Sequence, residues 1–167
     1  GLVNAILDIF KPGIAVGWLS NQAMYGVTAM AVWSGLGAGM IVFLAGLQGV
    51  PDELVEAAKI DGATSFRVFW HVTLPMMTPV LFFQIVMGLI SAFQQLTIPW
   101  LATTSASVGV PPRSVYLYMI NVYQQIFGVY RFGYGMALLW LLIVVIILLT
   151  LAVFRSQRYW VYSEAGE

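Results

Sequence analysis

The sequence contains few charged residues and no cysteine. Charged residues make up 8% of the 167 residues and hydrophobic residues 60%, whereas a soluble domain carries about 25% charged residues. A domain of this length has too much surface to hide so much apolar material in a core, so the composition predicts a chain embedded in lipid. The lack of cysteine excludes disulfides and thiolate metal sites. A net charge of zero provides no basic field for nucleic acid.

The groups that catalysis and metal binding need are also scarce. His71 is the only histidine, and no second histidine, cysteine or nearby acid pair completes a metal site with it. No serine has a base in a recognisable arrangement, and no two acids are placed as an acid–base pair. No glycine-rich phosphate loop ending in Gly-Lys-Ser/Thr occurs. We therefore predict that the chain is not an enzyme and binds no cofactor.

Three uncharged apolar runs are long enough to cross a bilayer. They cover about residues 24–47, 76–98 and 135–154, and a helix needs about 20 residues to cross the hydrocarbon. None of the runs alternates between apolar and polar residues as a membrane β-strand does, so backbone hydrogen bonding in lipid requires helices. The sequence predicts an all-α integral membrane protein with three transmembrane helices, forming one partial domain over residues 1–167.

The cations between the runs predict an orientation. With three spans, the opening segment and the 99–134 loop lie on one side of the membrane, and the 48–75 loop and the tail lie on the other. The second side carries Lys59, Arg67, Arg155 and Arg158, and the first carries Lys11, Arg113 and Arg131. The positive-inside rule then places the 48–75 loop and the C-terminal tail in the cytoplasm.

The 99–134 loop is rich in aromatic residues. Its aromatic side chains include Tyr116, Tyr118, Tyr123, Phe127 and Tyr130. Such side chains favour the headgroup level of a membrane, which predicts a helix lying at the outer interface. A folded loop packed on its neighbours is the alternative.

The polar 51–75 loop has the start and stop signals of two short helices. Pro51 suits the first helical position, where its missing N–H is not needed. Asp52 and Glu53 follow, at the positive end of the helix dipole. Gly62 is placed to end this helix in a left-handed conformation.

The second predicted helix of the loop begins after Thr64 or Ser65, either of which is a suitable N-cap. Pro75 is expected to stop it. Two helices joined by a tight turn form a compact knob. By composition alone, an ordinary loop between two spans explains this segment.

The surface of the first helix also suits docking. Ala57 and Ala58 keep part of it shallow, so that another backbone can approach closely. Glu56 beside them offers a charged hydrogen-bond anchor. Docking on a partner is therefore the functional alternative to an ordinary loop.

The spacing of particular residues distinguishes these alternatives. The pattern is Glu-Ala-Ala, three residues, Gly, nine residues, an aliphatic residue, one residue and Leu-Pro; here it comprises Glu56, Ala57, Ala58, Gly62, Val72, Leu74 and Pro75. This resembles the "EAA" loop of the permeases of binding-protein-dependent ABC importers. The forms "EAAKIDGAT" and "FLAGLQGVPDEL" resemble the carbohydrate-uptake branch.

The resemblance implies a type I ABC importer permease core in the plasma (inner) membrane of a prokaryote, with its loop acting as coupling helices. Glu56 would be the polar anchor, Ala57 and Ala58 the close-approach surface, Gly62 the turn and Pro75 the junction to the second span. The implied partners are a second permease subunit, two cytoplasmic ATPase subunits that hydrolyse the ATP, and an external solute-binding protein. Because the family normally has about six spans, the resemblance also implies the C-terminal half of a permease.

The second apolar run contains polar residues at helical spacing. Gln84, Gly88, Ser91 and Gln95 would share one helix face, with Gln94 adjacent to it. Amide side chains are costly against lipid, so this face is expected to point into the protein. Either these side chains hydrogen-bond to neighbouring helices, or they line the path of a hydroxyl-rich solute.

Glycines in the first run and in the 99–134 loop bear on packing and on the solute. Gly35, Gly37 and Gly39 permit close helix packing, with a flexible kink as the alternative. In the sugar branch the outer loop often reads Thr, one residue, Gly-Gly-Pro, but here Val110 separates Gly109 from Pro111.

The resemblance therefore predicts a permease subunit that imports a sugar or related polyol. A permease for another solute class, such as amino acids or peptides, is one alternative. A membrane scaffold that only docks a cytoplasmic partner is the other.

Overall fold

A computed structural model describes residues 2–10, 12–13, 23–104 and 113–162 of the protein. The helices are α1 (Leu2–Phe10), α2 (Ala23–Gln48), α3 (Asp52–Ile60), α4 (Ser65–Val68), α5 (Leu74–Met76), α6 (Thr78–Phe93), α7 (Thr97–Thr104), α8 (Tyr118–Tyr123) and α9 (Phe132–Trp160). Two π-helical segments, Phe69–Thr73 and Gln124–Gly128, and a 3₁₀ turn, Arg113–Val115, complete the described elements. Lys11 and the outer-loop residues Gly109, Val110 and Pro111 lie outside the described residues.

The described residues divide into two compact units. The first takes its residues from Gly1–Ser34 and Gln95–Ala137, and the second from Gly35–Gln94 and Leu138–Glu167. Both α2 and α9 contribute to the two units. The loop from α3 to α5 belongs to the second unit.

The first unit has a small core where α2 begins. Ala23, Val27 and Val115 are buried there, and Ile98 and Ala102 of α7 pack against them. The ring centroids of Trp100 and Tyr123 are 4.8 Å apart. The predicted helix of the aromatic loop therefore forms as α8 and the π-helical segment after it, and it packs on its neighbours.

Within the described residues, two helices are long and apolar enough to cross a membrane, namely α2 and α9. Most of their large apolar side chains are exposed, for example Trp140 at 69% and Leu148 at 61%. A helix that is apolar around its whole circumference is stable only when lipid or protein surrounds it. The first and third predicted runs, 24–47 and 135–154, fall within these two helices.

The second predicted run, 76–98, does not form one helix. α6 ends at Phe93, and its 16 residues rise roughly 24 Å, less than the hydrocarbon thickness of about 30 Å. The pair Ser65–Met76 and Thr78–Phe93 is long and apolar enough for a third span only when taken together, and it is bent by 61°. Pro99 explains the early end, because its ring would crowd the carbonyl of Gln95 in a continuous helix. The chain restarts as α7 with Pro99 in the first turn.

Candidate coupling surface

The first arm of the polar loop is α3. Asp52 and Glu53 lie in its first turn and Lys59 in its last, so each charge complements the helix dipole. Pro51 occupies the N-cap with extended backbone angles, φ −62° and ψ 127°. We had expected Pro51 at the first helical position, and it stands one position earlier. Its fixed φ and missing N–H suit both positions.

The turn between the arms is held by backbone hydrogen bonds. Gly62 has a φ of +80°, which confirms the predicted left-handed helix end. The N–H of Ala63 donates to the carbonyl of Ala58 at 3.0 Å, and the N–H of Gly62 donates to that of Lys59 at 3.0 Å. This pair of bonds is the Schellman motif, which satisfies the last carbonyls of a helix. Any residue with a side chain is strained at position 62.

The second arm starts at Thr64 and continues further than predicted. Thr64 is the N-cap of α4, but within the described residues its side chain makes no capping hydrogen bond. Pro75 does not stop the arm; the helix continues to Met76 and the bend follows at Met77. Pro75 is tolerated because it stands in the first turn of α5, where a missing N–H costs little. The Nδ1–H of His71 donates to the carbonyl of Arg67 at 3.0 Å.

The two alanines of the motif face different surroundings. Ala57 is exposed, whereas Ala58 is half-buried. Ala58 lines a groove of about 270 Å³ between the arms, together with Arg67 and His71. A small side chain at position 58 therefore lets the second arm approach α3 closely.

The exposed side of α3 defines a surface that we call the outer face, made of Glu53, Glu56, Ala57 and Ile60. All four residues are exposed, and spacings of three and four residues place Glu53, Glu56 and Ile60 together. Ile60 is 86% exposed. Our sequence analysis missed this residue, although its position four after Glu56 could have revealed it. An exposed aliphatic side chain beside a carboxylate and a small residue is suited to docking.

The structure brings together only part of the polar face predicted in the second apolar run. Gln84 is half-buried and Ser91 is exposed on α6, and their seven-residue spacing keeps them on one face. Gln94 is the C-cap of α6, and Gln95 lies in the non-helical link before α7. The prediction that Gln95 shares this helix face is therefore wrong, because α6 has already ended. Whether these side chains line a solute path stays a prediction.

Helix α2 contacts α6 at one of the expected glycines, Gly39, and packs more closely at Gly46, which the sequence analysis did not select. A Cβ added at Gly46 would lie 2.7 Å from Cγ2 of Val80 and 3.2 Å from Cε of Met77. At Gly39 an added Cβ would lie 3.5 Å from Nε2 of Gln84. Gly39 and Gly46 are seven residues apart, so they present one face of α2 to α6.

The packing of the other two glycines of the "SGLGAG" stretch stays a prediction. Nothing in the described part of the chain lies within 4 Å of a Cβ added at Gly35 or Gly37. Gly39 and Gly46, which both lie against α6, are two helical turns apart, and of these two only Gly46 would clash with a neighbour if it carried a Cβ.

Comparison with known proteins places these features in a family. The profile of the binding-protein-dependent transport system inner membrane component matches residues 3–161. The chain therefore belongs to this family of ABC transporter permeases, and its fold is that of the type I ABC importer permeases. No solved structure matches the chain significantly.

Several curated relatives are similar over most of this chain. The probable ABC transporter permease protein YesP of Bacillus subtilis is 35% identical, covering 100% of this chain and 54% of the relative. The arabinooligosaccharides transport system permease protein AraP of the same organism is 34% identical, over 90% of this chain and 47% of the relative. The sn-glycerol-3-phosphate transport system permease protein UgpA of Pectobacterium atrosepticum is 36% identical, over 81% of this chain and 45% of the relative. The chain thus spans about half the length of these relatives.

Proposed function

We propose that the chain is part of the transmembrane subunit of an ATP-driven importer for a sugar or related polyol. The observation that carries this proposal is the outer face of α3, held on a two-armed loop by the turn at Gly62. A rigid knob with a carboxylate at Glu56, a shallow position at Ala57 and an exposed Ile60 suits a cleft on a partner. The names of AraP and UgpA, which refer to arabinooligosaccharides and sn-glycerol-3-phosphate, support a hydroxylated solute.

The partners are proposed from the family, which belongs to binding-protein-dependent transport systems, and from a motif absent from this sequence. Its sequence has no phosphate loop, and a phosphate loop is the usual means by which such motors bind ATP. Two separate cytoplasmic ATPase subunits would hydrolyse ATP, and the 51–75 loop would transmit their movement. A second permease subunit would complete the path, and an external binding protein would deliver the solute. This arrangement places the 51–75 loop and the C-terminal end of α9 on the cytoplasmic side of a multi-pass protein.

Solute uptake by the complete transporter in proteoliposomes tests the proposal. We expect labelled arabino-oligosaccharides or glycerol phosphate to enter only when ATP and the external binding protein are both present. Uptake of amino acids or peptides with no uptake of hydroxylated solutes would contradict the substrate class. Partner binding without ATP-dependent uptake of any solute would favour a scaffold.

The polar face of α6 provides a second prediction. Because the sequence has no cysteine, Gln84→Cys and Ser91→Cys each introduce a single thiol into this chain. If these positions line an aqueous path, both thiols react with small charged thiol reagents in at least one transport state. Phe83→Cys is the control, since Phe83 is 51% exposed on a different side of the same helix.

The reagent reaction is followed by mass shift in the presence and absence of ATP. Complete inertness of the Gln84→Cys and Ser91→Cys variants in both states would contradict the path assignment. If the Phe83→Cys variant is labelled as strongly as the Gln84→Cys and Ser91→Cys variants, water reaches more than one side of α6. This result would also contradict a specific polar path.

A further inference from the structure

The end of α9 is attached to the beginning of α6. The backbone N–H of Tyr162 donates to Oγ1 of Thr78 at 2.7 Å, joining residues that are 84 positions apart. The same Thr78 hydroxyl donates to the carbonyl of Pro75 at 2.7 Å. One hydroxyl therefore links the C-terminal end of α9 to both sides of the bend at Met77.

Aromatic contacts one turn further along α6 strengthen this attachment. Phe82 is 8% exposed, and its ring packs edge-to-face on that of Phe154, with centroids 5.0 Å apart. The ring of Trp160 packs on the same phenylalanine at 6.0 Å. The indole N–H of Trp160 donates to Oγ of Ser156 at 3.3 Å, which fixes the orientation of the indole.

We call these contacts the C-terminal clasp, formed by Thr78, Phe82, Phe154, Trp160 and Tyr162. The clasp begins three residues after Pro75, the last residue of the coupling motif. On another side, Gly46 of α2 lies against Val80 and Met77. The base of α6 is thus held both by α2 and by the end of α9.

We propose that the clasp makes the C-terminal turn of α9 part of the moving body that transmits ATPase movement to the membrane helices. A displacement of the two arms reaches α6 through the bend at Met77. Without the clasp, the bend absorbs this displacement as a hinge. With the clasp closed, α6 and α9 are displaced together. Thr78 and Trp160 are therefore positioning residues for transport, and this inference rests on the function proposed above.

The test compares ATP hydrolysis with solute uptake in one preparation of the reconstituted, complete transporter. For Trp160→Ala and Thr78→Val we expect hydrolysis within about twofold of the unmodified level and uptake lowered about fivefold or more, in the range by which such mutations alter coupling. Trp160→Phe keeps a ring against Phe82 and should restore most of the uptake per ATP. Trp140→Ala is the matched control, because Trp140 is 69% exposed on the same helix.

An unchanged ratio of solute to ATP in Trp160→Ala and Thr78→Val would overturn the proposal, whether both activities stay normal or both fall in proportion. A merely structural role would lower the amount of folded transporter, and both activities with it, but would leave this ratio unchanged. If Trp160→Ala does not assemble, the ratio of solute to ATP in Thr78→Val tests the clasp proposal alone.

Cross-linking provides an independent measurement. Cysteines placed at positions 78 and 162 are joined with a short bifunctional thiol reagent after assembly. Replacing Thr78 removes the hydroxyl that holds the clasp, so uptake should be low before the reaction. Because the clasp moves as one body in our proposal, the cross-link should raise uptake by replacing this hydrogen bond. Loss of uptake on cross-linking would show that the clasp has to open, which contradicts the proposal.

Glu56→Lys in the same assay distinguishes a failure of the proposed function from a failure of the clasp proposal. If this variant transports normally, the loop does not couple ATP hydrolysis to transport. The clasp proposal is then contradicted as well, because it requires movement of this loop. If Glu56→Lys abolishes uptake while the clasp variants keep the normal ratio, only the clasp proposal fails.

Discussion

Glu56→Lys is expected to reduce ATP-driven uptake to the background level while the protein still inserts in the membrane. Glu56 is exposed on the outer face of α3, where an ATPase subunit would contact it in our proposal. Removing one member of a charge pair buried at an interface costs about 2–5 kcal/mol, and a reversed charge adds repulsion. Solute uptake and ATPase co-purification are measured on the complete transporter.

Two variants control for charge and for size. Asp8→Lys changes the net charge equally on α1, where Asp8 is also exposed. It loses one exposed hydrogen bond from the backbone N–H of Gly13, which contributes only about 1 kcal/mol, and we expect it to transport normally. Glu56→Gln keeps the shape and should lose less uptake than Glu56→Lys. Normal uptake by Glu56→Lys, or an equal loss in Asp8→Lys, would contradict an anchoring role for this carboxylate.

Gly46→Ala is expected to destabilise the protein by about 1–3 kcal/mol relative to Gly37→Ala. Both substitutions gain similar helix propensity, so their difference isolates the packing contribution. The new methyl group at position 46 would lie 2.7 Å from Cγ2 of Val80, and a β-branched side chain in a helix has little rotamer freedom to move away. At Gly37 the described residues leave the methyl group free space.

Denaturant unfolding of the purified protein in detergent measures this difference. Val80→Ala should rescue Gly46→Ala, because it removes the methyl groups that clash, and the double-mutant cycle reports their interaction. Equal stabilities of the two single variants, or the absence of rescue, would contradict the close contact between α2 and α6.

Local sequence signals predicted the turn of the 51–75 loop, since the conformation of a turn depends on short-range chemistry. Gly62 was expected to take a left-handed conformation and does so at φ +80°. The long apolar runs likewise identified α2 and α9, because such length and composition favour few structures other than a lipid-embedded helix. The motif around Glu56 led to the family that the comparison confirms.

Features that depend on the hydrogen-bonding pattern of neighbouring turns were predicted less well. Pro75 was expected to end a helix, but a π-helical segment, Phe69–Thr73, precedes it and shifts the register of backbone bonds. Gln95 was placed on α6 because it lies four residues after Ser91 in an uncharged run that extends to about residue 98, whereas Pro99 ends the helix earlier.

Tertiary contacts could not be derived from one sequence. Gly46 differs from Gly37 only in what lies opposite it, and that depends on how α2 and α6 pack. The contact of Tyr162 with Thr78 joins positions 84 residues apart, which no local pattern encodes.

Docking of the 51–75 loop on the ATPase is tested by identifying what lies against Ala57 in the assembled transporter. A photo-activated cross-linking amino acid is placed at position 57, in the exposed outer face of α3, and a second variant carries it at Trp140. We predict that position 57 forms a covalent adduct with an ATPase subunit and that position 140 does not. An adduct with lipid or with another membrane subunit at position 57, and none with an ATPase, would contradict the claim that this loop docks on the motor.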